Sequence, residues 1–194
     1  MRFKRAELLI AALGACLAGA SCRSFMQAGA DSPAAAKGRG EAAQAMIAEW
    51  SGPSKLAARL MMEKYGTPDD VRYERLDWDL KGPWRRSVVR NVRPFYVQAG
   101  PPVVEQAIYF PLTAAQAIDA EAVFGDSVRF DPGSGELSVR SDREEYNFLT
   151  LNLVHDVLAG ATSPEGARDS YARLLALAES GKTSPYLLGL RFLK

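Results

Sequence analysis

The sequence predicts an α+β fold, a mainly antiparallel sheet packed against a central buried helix and a C-terminal helix. Two observations point there. Apolar and polar residues alternate with a period of two through much of residues 71–141, where turn-forming clusters such as Lys81-Gly82-Pro83 and Pro132-Gly133-Ser134-Gly135 interrupt them, and helical periodicity flanks this region on both sides. The strands also follow one another through hairpins, without the regular β-α-β alternation of a parallel sheet.

The first 30 residues read differently from the rest. Met1-Arg2-Phe3-Lys4-Arg5 is basic, and residues 8–21 (LLIAALGACLAGAS) carry no charge. This is the order of an export signal, and its 14 uncharged residues fall short of the about 20 that a membrane-spanning helix needs. Residues 1–21 are therefore expected to be a signal peptide. Both cysteines of the chain lie here. Leu13-Gly14-Ala15-Cys16 and Gly19-Ala20-Ser21-Cys22 each resemble the lipobox of bacterial lipoproteins, whose cysteine receives diacylglycerol and becomes the new N-terminus. The first has the better leucine and the second the longer uncharged core, so Cys22 and Cys16 both stand as lipidation candidates. Ala18-Gly19-Ala20 is an ordinary cleavage site that would instead release a soluble chain. With Cys22 lipidated the mature chain has no free thiol, which suits an oxidising compartment.

Residues 22–40 are rich in Ala, Gly and Ser and read as a flexible tether, leaving 41–194 as a single domain. Within it, residues 41–50 (EAAQAMIAEW) are helix-prone. Pro53 opens a second helix that places Leu56, Leu60, Met61 and Tyr65 on one stripe and stops at Gly66. Thr67-Pro68-Asp69-Asp70 is a turn. Residues 71–80 and 84–92 form a hairpin around Lys81-Gly82-Pro83, the first arm rich in acids and the second in arginines, which is expected to pair opposite charges across the ladder. After a loop at 94–102, residues 103–110 make a third strand. Thr113 and Gln116 form a capping box for a short helix, residues 127–131 and 136–141 a second hairpin, and Ser141 with Glu144 another capping box. That box opens a helix over 142–159 whose apolar residues cover most of its circumference, marking it as the central buried helix. Ser163-Pro164 starts the last helix, with Ala167, Tyr171, Leu174 and Ala178 on its inner stripe, and the alternation of Leu188, Leu190 and Phe192 suggests a final strand.

Charge excludes one function class. Removing residues 1–21, with Arg2, Lys4, Arg5 and Glu7, turns 24 basic and 23 acidic side chains into 21 and 22. A near-neutral chain lacks the basic excess of a nucleic-acid binder. Motifs for catalysis are also sparse. His155 is the only histidine, and its neighbour Asp156 points about 100° away around the helix, so the pair is not a ready-made dyad and His155 reads as structural, hydrogen-bonded near Asn147 or Asn152. No nucleophile motif is present. Zinc needs three or four ligands, which one histidine without spare cysteines does not supply, so neither a metal nor a cofactor is expected. Acids that could serve a hydrolase include Asp69, Asp77, Asp79, Glu105, Glu144 and Glu145, but no spacing selects a pair. The stretch around Trp84, Arg85, Arg86 and Arg90, with Trp78 opposite and Phe95 beyond, reads as a partner-binding face or as cross-strand pairing with the acidic arm.

Lys64-Tyr65-Gly66-Thr67-Pro68-Asp69-Asp70-Val71, followed by Leu76 and Trp78, resembles the small BamE-type domain of outer-membrane assembly lipoproteins over about residues 53–92. The chain lacks the Gly-Met-Thr opening of that domain and continues for a further hundred residues. The resemblance implies a protein-interaction module on an envelope lipoprotein. The expectation is a non-enzymatic binding domain, held on the bacterial envelope by its N-terminal lipid, facing the periplasm and meeting an envelope protein there. The alternatives are a secreted soluble protein, a carboxylate hydrolase of envelope polysaccharide, or a small-ligand carrier with its pocket between sheet and central helix.

Overall fold

Six strands, β1 (Asp70–Arg72), β2 (Arg75–Lys81), β3 (Trp84–Arg90), β4 (Val104–Tyr109), β5 (Val128–Asp131) and β6 (Glu136–Ser141), form one sheet in the order β1-β2-β3-β4-β6-β5 with every neighbouring pair antiparallel. The six α-helices among the described residues are α1 (Pro33–Ala48), α2 (Gly52–Tyr65), α3 (Ala114–Phe124), α4 (Glu144–Leu158), α5 (Pro164–Glu179) and α6 (Pro185–Leu188). This computed structural model describes residues 32–93 and 101–193. The α+β class and antiparallel sheet expected from the sequence are observed. The predicted signal peptide, Cys16, Cys22, most of the 94–102 loop and Phe95 lie outside the described residues.

Strand periodicity puts Leu76, Trp78, Val89, Val104, Ile108, Leu137 and Val139 on the helix-covered face, where they divide between two apolar clusters. One joins α1 and α2 to Leu76, Trp78, Val89 and Val104. The other joins α3, α4, α5 and α6 to Trp84, Ile108, Val128, Leu137 and Val139. Tyr65, at the end of α2, packs against both. As expected, α4 is the central helix: Tyr146, Phe148, Leu149, Leu151, Leu153 and Val154 are buried, and so are Asn147, Thr150 and Asn152.

Four details depart from the sequence expectation, each for a local physical reason. Residues 33–40, expected in the tether, form the first half of α1, because Ser32 caps the helix, Pro33 occupies its first position and three alanines follow. The 71–80 arm divides at a turn, Tyr73-Glu74, into β1 and β2. On α2 the buried stripe is Ser54, Ala57, Ala58 and Met61, while Leu56 and Leu60 face outward. Small side chains let the helix settle close to the bulky Leu76 and Trp78. The predicted last strand is absent among the described residues. α6 ends at Leu188 and the chain continues without regular structure, docked on α4, where Asn152 donates to the Tyr186 and Gly189 carbonyls (3.1 and 2.9 Å) and accepts from the Arg191 amide (2.9 Å), serving the backbone groups that a strand neighbour would serve.

The β2–β3 hairpin carries one conformational anomaly. Leu80 has φ 51°, the one non-glycine residue with positive φ among those described, and its side chain is exposed. Strand alternation slips at the same level. Trp84 and Ser87 both serve the helix-covered face, although they are three positions apart and regular alternation would put them on opposite faces. A left-handed leucine costs roughly 1–2 kcal/mol, and asparagine tolerates that conformation better. Leu80→Asn is therefore expected to raise stability by about 0.5–1 kcal/mol in urea unfolding, and a loss of stability would contradict the assignment of strain.

Candidate functional site

Because the small face of α2 is turned to the sheet, a cleft of about 350 Å³ remains between α2 and the first turn of α4. Ala57, Leu60 and Met61 form one wall, Val104 of β4 contributes to the lining, and Glu144 of α4, with Arg143 just before it, stands opposite. Glu63, Lys64 and Glu145 complete the charged part of the lining.

Glu144 sits between the two apolar clusters and is buried. Its Oε1 accepts hydrogen bonds from Tyr65 Oη (2.5 Å), Trp84 Nε1 (2.5 Å) and Gln106 Nε2 (3.0 Å), and its Oε2 is paired with Lys64 Nζ. One carboxylate thereby ties the end of α2, β3 and β4 to the start of α4. The network extends inward. Gln106 Nε2 also donates to Ser87 Oγ (3.2 Å), and Gln106 Oε1 accepts from Asn147 Nδ2 (2.9 Å), which shares its protons with the Val104 carbonyl. It ends at Asn147 Oδ1, which is buried without a partner among the described residues. Lys64 Nζ lies 5.2 and 5.3 Å from the ring centres of Tyr65 and Phe148, within cation–π range. Burial, then the hydrogen bond to Glu144, pushes the Tyr65 hydroxyl well above the ordinary tyrosine range. The tyrosine stays a neutral donor.

This chemistry suits a structural hub better than a general acid or base. With three donors on Oε1 and an ammonium on Oε2, the carboxylate has little capacity left to take a proton from a substrate. The expected Ser141–Glu144 capping box is also replaced: α4 begins after Arg143, no side chain caps it, and Ser141 Oγ instead bonds the Arg143 backbone. No local sequence signal links Glu144 to Lys64 and Tyr65, some 80 positions away. The one hint is that Glu144, Asn147 and Leu151 fall on one helical stripe.

The expected partner-binding residues separate into two groups. Trp78 and Trp84 are fully buried, contrary to their expected role on a partner-binding face. The Trp78 indole donates to the Gly66 carbonyl (2.9 Å), and Trp84 stacks on Phe148 at 5.0 Å. Burial of indole surface with a satisfied N–H outweighs exposure, so neither ring can stack on a partner. Arg86 and Arg90 belong to the face of the sheet opposite the helices, and Arg85 also reaches Glu136 of β6. Charge pairing occurs, but with different strands from those expected. Arg85 bonds Glu136 (2.8 Å), Arg86 bonds Glu105 of β4 (2.8 Å), and Arg90 also reaches Glu105 (3.4 Å). The acidic arm is satisfied separately, Asp77 by Arg75 in its own strand, Asp70 by Arg72 and Asp69 by Lys81. The acids considered for hydrolysis are thus largely committed to ion pairs.

His155 and Asp156 come closer than helix geometry suggested. His155 Nδ1 is 3.7 Å from Asp156 Oδ1, and the imidazole stacks on Phe192 at 4.5 Å instead of bonding Asn147 or Asn152. Asp156 Oδ2 accepts from Tyr186 Oη (2.6 Å). These residues fasten the C-terminal segment to α4. No group of three or more His, Cys, Asp or Glu residues among those described is arranged to hold a metal ion. No helix among the described residues is long and apolar enough to cross a membrane.

No protein-family model matches the chain, and no curated protein or solved structure matches it.

Removing the hub leaves the buried Trp84 indole N–H and the half-buried Tyr65 hydroxyl without their acceptor, and Gln106 Nε2 with Ser87 alone. Glu144→Ala should therefore cost about 2–4 kcal/mol in urea unfolding, while Lys64→Met, at a half-exposed position, should cost less than about 1 kcal/mol. Comparable losses from the two changes would contradict the hub. The opposite face supplies a pH test. Burial alone would raise the Glu105 carboxyl, but Arg86 and Arg90 outweigh it and hold the group below the ordinary glutamate range. The stabilisation from this pairing is present above the ordinary glutamate pKa and is lost as pH falls through the lowered value. Glu105→Gln should accordingly flatten the acid limb of stability against pH, and an unchanged limb would contradict the pairing.

Proposed function

We propose that this chain is a non-enzymatic binding domain of the bacterial envelope, held at a membrane through a lipidated cysteine at its N-terminus, and that the cleft between α2 and α4 receives the apolar part of its ligand. The observation that carries the reading is the unpartnered leucine pair of α2. Leu60 lines the cleft at 50% exposure and Leu56 lies one turn away, also exposed, although the helix buries alanines and a serine on its other side. A concave apolar wall with a few fixed polar groups is the usual form of a ligand site. Here the saturated carboxylate keeps that wall in place without taking part in chemistry. The basic and apolar N-terminal sequence, with Cys22 and Cys16 in lipobox-like settings, supports the tether. The likeness of residues 53–92 to a BamE-type domain favours an interaction role, with Trp78 bonded to the Gly66 carbonyl of the shared turn.

The cleft is tested with N-phenyl-1-naphthylamine, an uncharged probe that fluoresces in apolar surroundings. Wild-type protein should bind it saturably at one site. Leu60→Asp, an exposed change that spares the core, should weaken binding at least tenfold, whereas Tyr73→Asp at the far end of β2 should leave it unchanged. Equal binding by wild type and Leu60→Asp would contradict the proposed site.

A further inference from the structure

We infer that the end of the domain bearing the β2–β3 turn rests on the bilayer that anchors the N-terminus, with Leu80, Pro83, Tyr109 and Leu193 at the level of the lipid headgroups; this relies on the lipid-tether reading above.

The direction of α1 fixes where the chain enters the domain. Gln44 Nε2 contacts Met62 Sδ (3.8 Å), a side chain at Gly40 would meet Thr67, and Arg39 Nε bonds the Pro68 carbonyl (3.2 Å). Moving back along α1 therefore moves towards and past the C-terminal end of α2. Ser32 lies seven residues, about 10 Å, further along that helix than Arg39. The β2–β3 turn occupies the same end, because the Tyr65 ring at the end of α2 abuts Gly82. Ten peptide units separate Cys22 from Ser32, and even fully extended they reach at most about 36 Å. A lipid on Cys22 would therefore keep the point where the chain enters the domain within about 36 Å of the membrane, nearer than the opposite end can be held.

The same end exposes apolar side chains that the domain itself leaves unused. Leu80 is 76% exposed, Tyr109 60% and Leu193 43%, and the three line one shallow depression of about 310 Å³ together with Pro83 and Arg85. Leu80 adopts its left-handed backbone without any burial to offset it, an arrangement explained if the side chain is buried elsewhere. Tyr109 suits a headgroup boundary, having an apolar ring and a polar tip. The nearby cations are already compensated, Lys81 by Asp69 (3.5 Å) and Arg85 by Glu136 (2.8 Å). Apolar area is the holding force here, ahead of attraction to acidic lipid.

The test uses the full chain, purified from membranes and reconstituted in vesicles of phosphatidylethanolamine and phosphatidylglycerol, with any unacylated cysteine replaced by serine. A bimane fluorophore is attached at Leu80→Cys, at Tyr109→Cys or, as a reference at the opposite end of β2, at Tyr73→Cys, since Tyr73 is 81% exposed. Phospholipid carrying a spin label near the headgroup then quenches whichever probe meets the bilayer, and intact mass reports acylation of the same sample. The expected result is an acylated chain with quenching at 80 and 109 at least twofold stronger than at 73. An acylated chain quenched equally at all three positions would overturn this inference and leave the tether standing. A chain without acyl groups would overturn the tether and this inference together. Probe positions on two different strands guard against a local disturbance at either one.

Discussion

A buried carboxylate decides how this domain is assembled. Glu144 would be costly to bury alone, yet it is surrounded by donors from three elements distant in sequence, Lys64 and Tyr65 on α2, Trp84 on β3 and Gln106 on β4. The two apolar clusters share one sheet face, and where they meet Tyr65, Trp84 and Gln106 present donors that need an acceptor. The carboxylate supplies the missing acceptor at the seam. Its position also sets the cleft, because the pairing with Lys64 fixes the end of α2 relative to the first turn of α4, leaving a space between the helices that Leu60 lines and does not fill.

The other face of the sheet solves a different problem. Val88 and Ala107 are fully buried there, outside both of the helix-backed apolar clusters. Arg75, Arg86 and Arg90 lie on the same face, their long aliphatic stems able to cover those small side chains while their guanidinium groups pair with Asp77, Glu105 and Glu136. This explains why the hairpin arm that looked like a recognition strip in the sequence is already engaged within the sheet.

Local chemistry made much of the fold legible. The β2–β3 and β5–β6 hairpins, the Thr113–Gln116 capping box of α3 and the Ser163 cap of α5 all occur where turn residues and caps placed them. What was not legible depended on partners far away in the chain. Composition made residues 33–40 look like a tether, but alanines behind a serine cap extend the helix whose second half, at Ala43 and Ile47, packs in the core. The stripe of Leu56 and Leu60 is the natural apolar face of α2, yet closeness to Trp78 and Leu76 favours the alanine side. Leu188, Leu190 and Phe192 alternate like a strand, but the side chain of Asn152 bonds the intervening backbone at Tyr186, Gly189 and Arg191. Glu144 looked like an ordinary capping residue because its four donors are 38 to 80 positions away.

If the seam at Glu144 joins two half-cores into one cooperative unit, their openings are linked. Amide hydrogen exchange, followed for the slowest amides of α2 and of α4 in the wild type and in Glu144→Ala, measures that linkage most directly. The account predicts a single opening free energy shared by both helices in the wild type, and a split in the variant, with α2 exchanging faster than α4. Independent openings in the wild type, or a variant in which both helices lose protection equally, would contradict it.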